Sequence, residues 1–138
     1  MTSKVKYFFN SDGTVESKVW EDEEGRAHRE DGPAVEYPDG RRYWYKNGLL
    51  HRENGPAVSS SDGTKMWYIN GKRHREDGPA VEYIEGTRQW HINEKLHRED
   101  GPAIVWADGT YSYYLNNKRY SKKEYLGENE RTKRKRNR

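Results

Sequence analysis

The 138-residue chain contains no cysteine, which excludes disulfides, thiolate metal sites and cysteine nucleophiles. Apolar residues are scarce at 30%, against 36% charged residues, whereas compact domains usually run nearer about 45–50% apolar. Mean hydropathy is −1.43. No apolar run approaches the roughly 20 residues that a membrane helix requires, and the opening stretch MTSKVKYFFNSDG lacks the apolar core of a signal peptide. These absences predict a soluble, cytoplasmic protein and, taken alone, point toward disorder. The aromatic residues argue the other way. Five Trp, 11 Tyr and 2 Phe make up 13% of the chain, and disordered chains are poor in aromatics. A few large rings holding the apolar area suit a thin, elongated structure rather than a thick core.

The net charge of +3 is unevenly spread. Residues 118–138 hold 10 Lys/Arg and 3 Asp/Glu, a net of +7, leaving a net of −4 on the remainder. The basic character therefore belongs to the C-terminal segment, which excludes a uniformly basic nucleic-acid-binding body.

A repeat of 23 residues fills positions 28–119. HREDGPAVEYPDGRRYWYKNGLL begins at His28, and three further copies begin at His51, His74 and His97. In each copy Asp/Asn-Gly precedes Pro-Ala, a pairing that predicts a turn with glycine at positive φ. A short strand follows, then a second turn at 39–40, 62–63, 85–86 and 108–109. An aromatic strand leads into a third turn at Asn47-Gly48, Asn70-Gly71, Asn93-Glu94 and Asn116-Asn117. Each unit thus reads as a β-hairpin plus a return turn. Alternation puts Val35, Val58, Val81 and Ile104 on one side with Tyr37, Ser60, Tyr83 and Trp106. It likewise groups Trp44, Trp67, Trp90 and Tyr113 with Lys46, Ile69, Ile92 and Leu115. These groups are the expected buried ladder. An isolated hairpin is marginal in water, so neighbours must stack, as in solenoids. The fold class is all-β: an elongated single-layer array of stacked antiparallel hairpins with a short C-terminal capping helix.

Residues 1–27 form a divergent capping hairpin in this reading, and 28–119 the four repeats. Ser121 and Glu124 fit a capping box. That predicts a short helix over 122–129, within a cap spanning 120–129, in which Tyr125 and Leu126 cover the last hairpin. Residues 130–138 are expected to be a disordered basic tail.

The 23-residue period, the hairpin around Asp-Gly, the aromatic strand and the Asn70-Gly-Lys-Arg-His74 stretch resemble MORN repeats, in the variant form of YwqK-like bacterial proteins labelled antitoxins. Similar HRxDGPA arrays also resemble parts of phage and viral proteins. The resemblance covers 28–119 and departs at one point: MORN repeats continue His-Gly-x-Gly, where this chain reads His-Arg-Glu-Asp/Asn-Gly-Pro. It implies an open chain of hairpins and a non-enzymatic scaffold, with antitoxin-like or viral anti-defence inhibition among its roles.

Catalysis needs one asymmetric constellation, and four His-Arg-Glu copies in series do not provide one. Successive His residues also stand roughly 10 Å apart, too far to share a metal. No catalytic residue, metal or cofactor is expected. Each His is expected to pack beside its turn, and each Arg/Glu pair to form an exposed ladder. The predicted partner-binding strip comprises Tyr45, Tyr68, His91 and Tyr114, pointing away from the buried ladder, with Arg41, Arg42, Lys65 and Arg88 beside them. The basic tail, Arg131, Lys133, Arg134, Lys135, Arg136 and Arg138, would contact nucleic acid or an acidic partner. A protein partner is the leading expectation. A nucleic-acid-associated accessory role through the tail is the first alternative, and a membrane-associated adaptor the second. The body's net charge of −4 weighs against anionic lipid. Oligomeric state is not fixed by the sequence.

Overall fold

The computed structural model describes residues 3–137. Among these residues the chain is mostly β, built from antiparallel hairpins, with one helix at the C-terminal end and no closed barrel. It opens on β1 (Lys4–Phe9) and β2 (Val15–Glu21). The first repeat contributes β3 (Val35–Glu36), β4 (Arg42–Tyr43), β5 (Tyr45–Lys46) and β6 (Leu49–Leu50). The second contributes β7 (Val58–Ser59), β8 (Lys65–Met66), β9 (Tyr68–Ile69) and β10 (Lys72–Arg73). The third contributes β11 (Val81–Glu82), β12 (Arg88–Gln89), β13 (His91–Ile92) and β14 (Lys95–Leu96). The fourth comprises β15 (Ile104–Val105), β16 (Tyr111–Leu115) and β17 (Lys118–Tyr120), and α1 (Lys122–Arg136) follows.

Each repeat holds two hairpins rather than one. The first closes on the Asp/Glu-Gly turn, where Gly40, Gly63, Gly86 and Gly109 take φ between 89° and 109°. The carboxylate before each glycine accepts the N–H two residues on, as in Asp62 to Thr64 at 2.9 Å. The aromatic strand then breaks at the tryptophan. The residues after it fold into a second hairpin on the Asn turn, as β5–β6, β9–β10 and β13–β14. Both central residues of that turn have positive φ: 52° and 81° at Asn47-Gly48, and 49° and 72° at Asn93-Glu94. This is the type I′ geometry that matches strand twist. Glu94 is the costly member, and its carboxylate is tied down: Arg73 donates its backbone N–H at 2.6 Å and its Nε at 2.7 Å.

The first hairpins join into one sheet of order β1-β2-β3-β4-β7-β8-β11-β12-β15-β16-β17. Pairing is antiparallel throughout, within a repeat (Val58↔Met66) and between repeats (Val81↔Met66). One register row runs Val19, Val35, Tyr43, Val58, Met66, Val81, Gln89, Ile104, Ser112. The adjacent row alternates in charge except at neutral Ser59: Lys18, Glu36, Arg42, Ser59, Lys65, Glu82, Arg88. Opposite charges face each other at Glu36–Arg42 and Glu82–Arg88 within hairpins and at Lys65–Glu82 between them, a favourable cross-strand pairing.

The buried ladder is only partly the expected one. Val58, Val81 and Ile104 are buried, but Tyr83 and Trp106 are exposed and the tryptophans half-buried. The deepest positions are alanines that the alternation did not single out: Ala34, Ala57, Ala80 and Ala103 are all 0% exposed. Each alanine carbonyl accepts the N–H of the preceding tryptophan, at 2.7–2.8 Å from Trp20 to Ala34 through Trp90 to Ala103. A small side chain beside each large ring keeps neighbouring repeats at hydrogen-bonding distance.

The helix extends beyond the expected 122–129. It runs to Arg136, so 130–136 is helical rather than disordered, while Arg138 lies outside the described residues. The capping box is present: Glu124 N–H donates to Ser121 Oγ at 3.2 Å, and Ser121 N–H to Glu124 Oε1 at 3.0 Å. Lys133, Arg134, Lys135 and Arg136 sit in the last turn, where cations favour the helix dipole. Tyr125 and Asn129 are buried, whereas Leu126 is exposed and does not cover the last hairpin. No helix of the described residues is long and apolar enough to cross a membrane.

Candidate functional site: the groove row

The His-Arg-Glu-Asp/Asn-Gly motif folds into a compact loop that repeats four times. The histidine ring acts as a backbone substitute that ties the start of each repeat to its own Asn turn. Nδ1 of His28 accepts the N–H of Asn47 at 2.9 Å, and His51, His74 and His97 accept those of Asn70, Asn93 and Asn116 at 3.0 Å. An accepting Nδ1 carries no proton, so the ring proton resides on Nε2. There it meets the motif's own glutamate, at 3.0 Å for His28 and Glu30 and 3.6–3.8 Å in the other copies. Each histidine thus packs beside a turn of its own repeat, the Asn turn 19 residues on.

The arginines do not form an exposed ladder with the glutamates. The guanidinium carbons of Arg29, Arg52, Arg75 and Arg98 lie 3.8–3.9 Å above the ring centres of Trp20, Trp44, Trp67 and Trp90. Each Nη1 also donates to the carbonyl of the following proline, at 3.0–3.2 Å. The motif glycine is explained by this clamp. Gly32, Gly55 and Gly78 are not in the left-handed region expected of an Asp/Asn-Gly turn. A Cβ at each would meet the arginine's Cζ at 2.7–2.9 Å. Trp20 places β2 within the same pattern, so the N-terminal hairpin ends as a fifth stacking unit. At the far end Tyr125 of α1 takes the arginine's place, its ring centre 4.5 Å from that of Tyr113. Its hydroxyl donates to Arg98 O at 2.7 Å and accepts from Gly101 N–H at 3.1 Å.

Between successive loops lie open grooves. One, of about 760 Å³, is bounded by Arg52, Glu53, Trp67, Ile69, Glu76 and Asp77. The next, of about 600 Å³, is bounded by the equivalent residues Arg75, Glu76, Trp90, Ile92, Glu99 and Asp100. A third, of about 360 Å³, lies one repeat earlier against Trp44. In the first two the floor is a tryptophan and an isoleucine, in the third Trp44 and Lys46, and the rims are acidic. Asp77, Asp100 and Glu76 are 88%, 87% and 85% exposed in their side chains. Arg136 of α1 reaches back to pair with Glu99 at the last rim.

The predicted partner strip is not assembled as expected. His91 is only 3% exposed, and Tyr45, Tyr68 and Tyr114 are half-buried. Burial lowers the His91 pKa and raises those of Tyr45 and Tyr68. The strand break at tryptophan separates these rings from the sheet's cationic row. Arg42, Lys65 and Arg88 are exposed there among glutamates, while Arg41 stacks on Tyr37 at 3.9 Å and bonds Asp39 at 2.8 Å. Of the basic tail, Arg131, Lys133, Arg134 and Lys135 are exposed on α1, and Arg136 is paired with Glu99. The groove row was not read from the sequence. Its signal was the constant Arg eight residues after each Trp, repeated three times and spaced nine at Trp20–Arg29. No group of three or more His, Asp or Glu among the described residues is placed to hold a metal.

No protein-family model and no curated protein matches the chain.

Proposed function

We propose that the chain is a non-enzymatic repeat scaffold that binds an extended protein segment along its groove row. The periodicity of the grooves is the observation that carries this reading. Two strands per repeat advance the array by about 9.6 Å, close to the roughly 9.3 Å spanned by one three-residue turn of a polyproline II segment, which sets every third side chain on one face. A partner with a basic side chain at every third residue would meet an acidic rim at each step, with aliphatic stem lying on the tryptophan–isoleucine floor. Arg136 seated on Glu99 supports the choice of a basic partner, since a guanidinium already occupies that rim. Inhibition by occupying the partner's binding segment, as the antitoxin-like resemblance implies, is the mode of action that suits such a scaffold.

The exposed cations of α1 favour a second reading, contact with nucleic acid at that end. A labelled (Arg-Gly-Ser)5 peptide distinguishes the two. It is expected to bind the full chain, to bind more weakly when its arginines are clustered, and to keep its affinity when α1 is neutralised by Arg131→Gln and Lys133→Gln. Equal affinity for spaced and clustered peptides would remove the groove reading. Salt-sensitive binding of a DNA duplex, lost in the α1 variant, would favour the second.

A further inference from the structure

The sheet ends on β1, and among the described residues none pairs with the outer edge of that strand. Trp20 donates its N–H to Ala34 O and accepts from His28 N–H, so both of its backbone groups face away from β1. Val5, opposite Trp20, is therefore in a non-hydrogen-bonded pair, and Lys4, Lys6 and Phe8 are the residues that bond β2. It follows that Val5, Tyr7 and Phe9 direct their N–H and C=O groups outward, into solvent. Their side chains share one face and are 46%, 47% and 61% exposed. A six-residue edge with three open donors, three open acceptors and exposed apolar side chains is a template for strand addition.

The geometry points to a second copy of this chain as the occupant, added antiparallel through β1 about a two-fold axis at Tyr7. Directly opposed residues must be of the same hydrogen-bonding type, so a residue pairs only with one an even number of positions away. Two central registers satisfy this. One sets Lys6 against Lys6 of the copy in a closely spaced pair, which like charge disfavours. The other sets Tyr7 against Tyr7, Val5 against Phe9 and Lys6 against Phe8. Two bonds at each of the pairs Val5–Phe9, Tyr7–Tyr7 and Phe9–Val5 make about six in all. It also places each Lys6 ammonium opposite a Phe8 ring, a contact Lys6 already makes within its own strand at 5.1 Å. The edge is thus self-complementary, with the most bonds in the Tyr7 register, joining two sheets end to end.

Light scattering coupled to gel filtration, run across micromolar concentrations on the full chain, is the first test. The mass is expected to rise from 16.4 kDa toward twice that value with concentration. Tyr7→Lys opposes two ammonium groups at the axis. It is expected to weaken association about tenfold or more without changing the melting temperature. Because the chain lacks cysteine, single replacements report the register directly. Tyr7→Cys should oxidise to a covalent dimer much faster than Lys6→Cys. A monomer at every concentration, dimerisation unaffected by Tyr7→Lys, or faster crosslinking of Lys6→Cys would each overturn the proposal.

Discussion

Replacing Arg75 with alanine removes the clamp at the centre of the array. Four contacts go with it: the stack on Trp67 at 3.9 Å, the bond to Pro79 O at 3.0 Å, the pair with Asp77 at 3.1 Å and a looser pair with Glu82 at 3.6 Å. The stack is worth about 1 kcal/mol at a partly exposed site. The charged hydrogen bond contributes about 1.5–3 kcal/mol, and the exposed Asp77 pair close to nothing. Freed arginine rotamers return about 1–1.5 kcal/mol. The net cost is about 2 kcal/mol, or roughly 6–8 °C in melting temperature for a chain of this size. Urea unfolding followed by tryptophan fluorescence reads it. Arg75→Lys keeps the charge but neither the planar stack nor the fork, so it should recover less than half. Gly78→Ala offers an internal check. A Cβ there would meet Arg75 Cζ at 2.9 Å and displace the same guanidinium. The double variant Arg75→Ala, Gly78→Ala should therefore cost much less than the sum of its parts. A cost for Arg75→Ala below about 0.5 kcal/mol, the range of ordinary surface changes, or strict additivity with Gly78→Ala would refute the clamp.

Other expected outcomes test separate parts of the array. Burial lowers the His91 pKa, so the folded state resists its protonation. Its contribution is intact above the unfolded pKa of about 6.5 and is lost as pH falls from there through the folded value; comparison of melting curves for the wild type and His91→Tyr isolates it. Ala80→Leu, at a position with no exposure, should cost about 1–3 kcal/mol by overpacking in a urea titration. Tyr125→Phe removes the hydroxyl that donates to Arg98 O and accepts from Gly101 N–H. It should cost about 1 kcal/mol, visible as faster amide exchange across 122–136.

The period, the turns and the hairpin character were legible because turn chemistry is local. Asp62-Gly63 and Asn70-Gly71 each carry their own conformational demand. The second hairpin was not legible, because the backbone groups of Trp44 bond residues of the next repeat, donating to Ala57 O and accepting from His51 N–H, which alternation along one strand does not show. Alternation assumed a straight strand through the break and so turned Tyr45 and His91 outward. The motif glycines misled for a related reason: Gly32, Gly55 and Gly78 are there for lack of a Cβ, not for positive φ. The helix beyond residue 129 was missed because composition alone does not show Asn129 buried against the Glu99 carbonyl.

In this account the Arg–Trp clamps hold the array together and the exposed rim carboxylates bind the partner, so stability and binding should separate. Measuring (Arg-Gly-Ser)5 affinity beside melting temperature in Glu53→Gln, Glu76→Gln, Asp77→Asn, Asp100→Asn tests this most directly. These four side chains are 74–88% exposed. The expected result is an affinity reduced at least about tenfold with melting within about 2 °C of the wild type. Unchanged affinity, or a loss of affinity that merely follows a loss of stability, would contradict it.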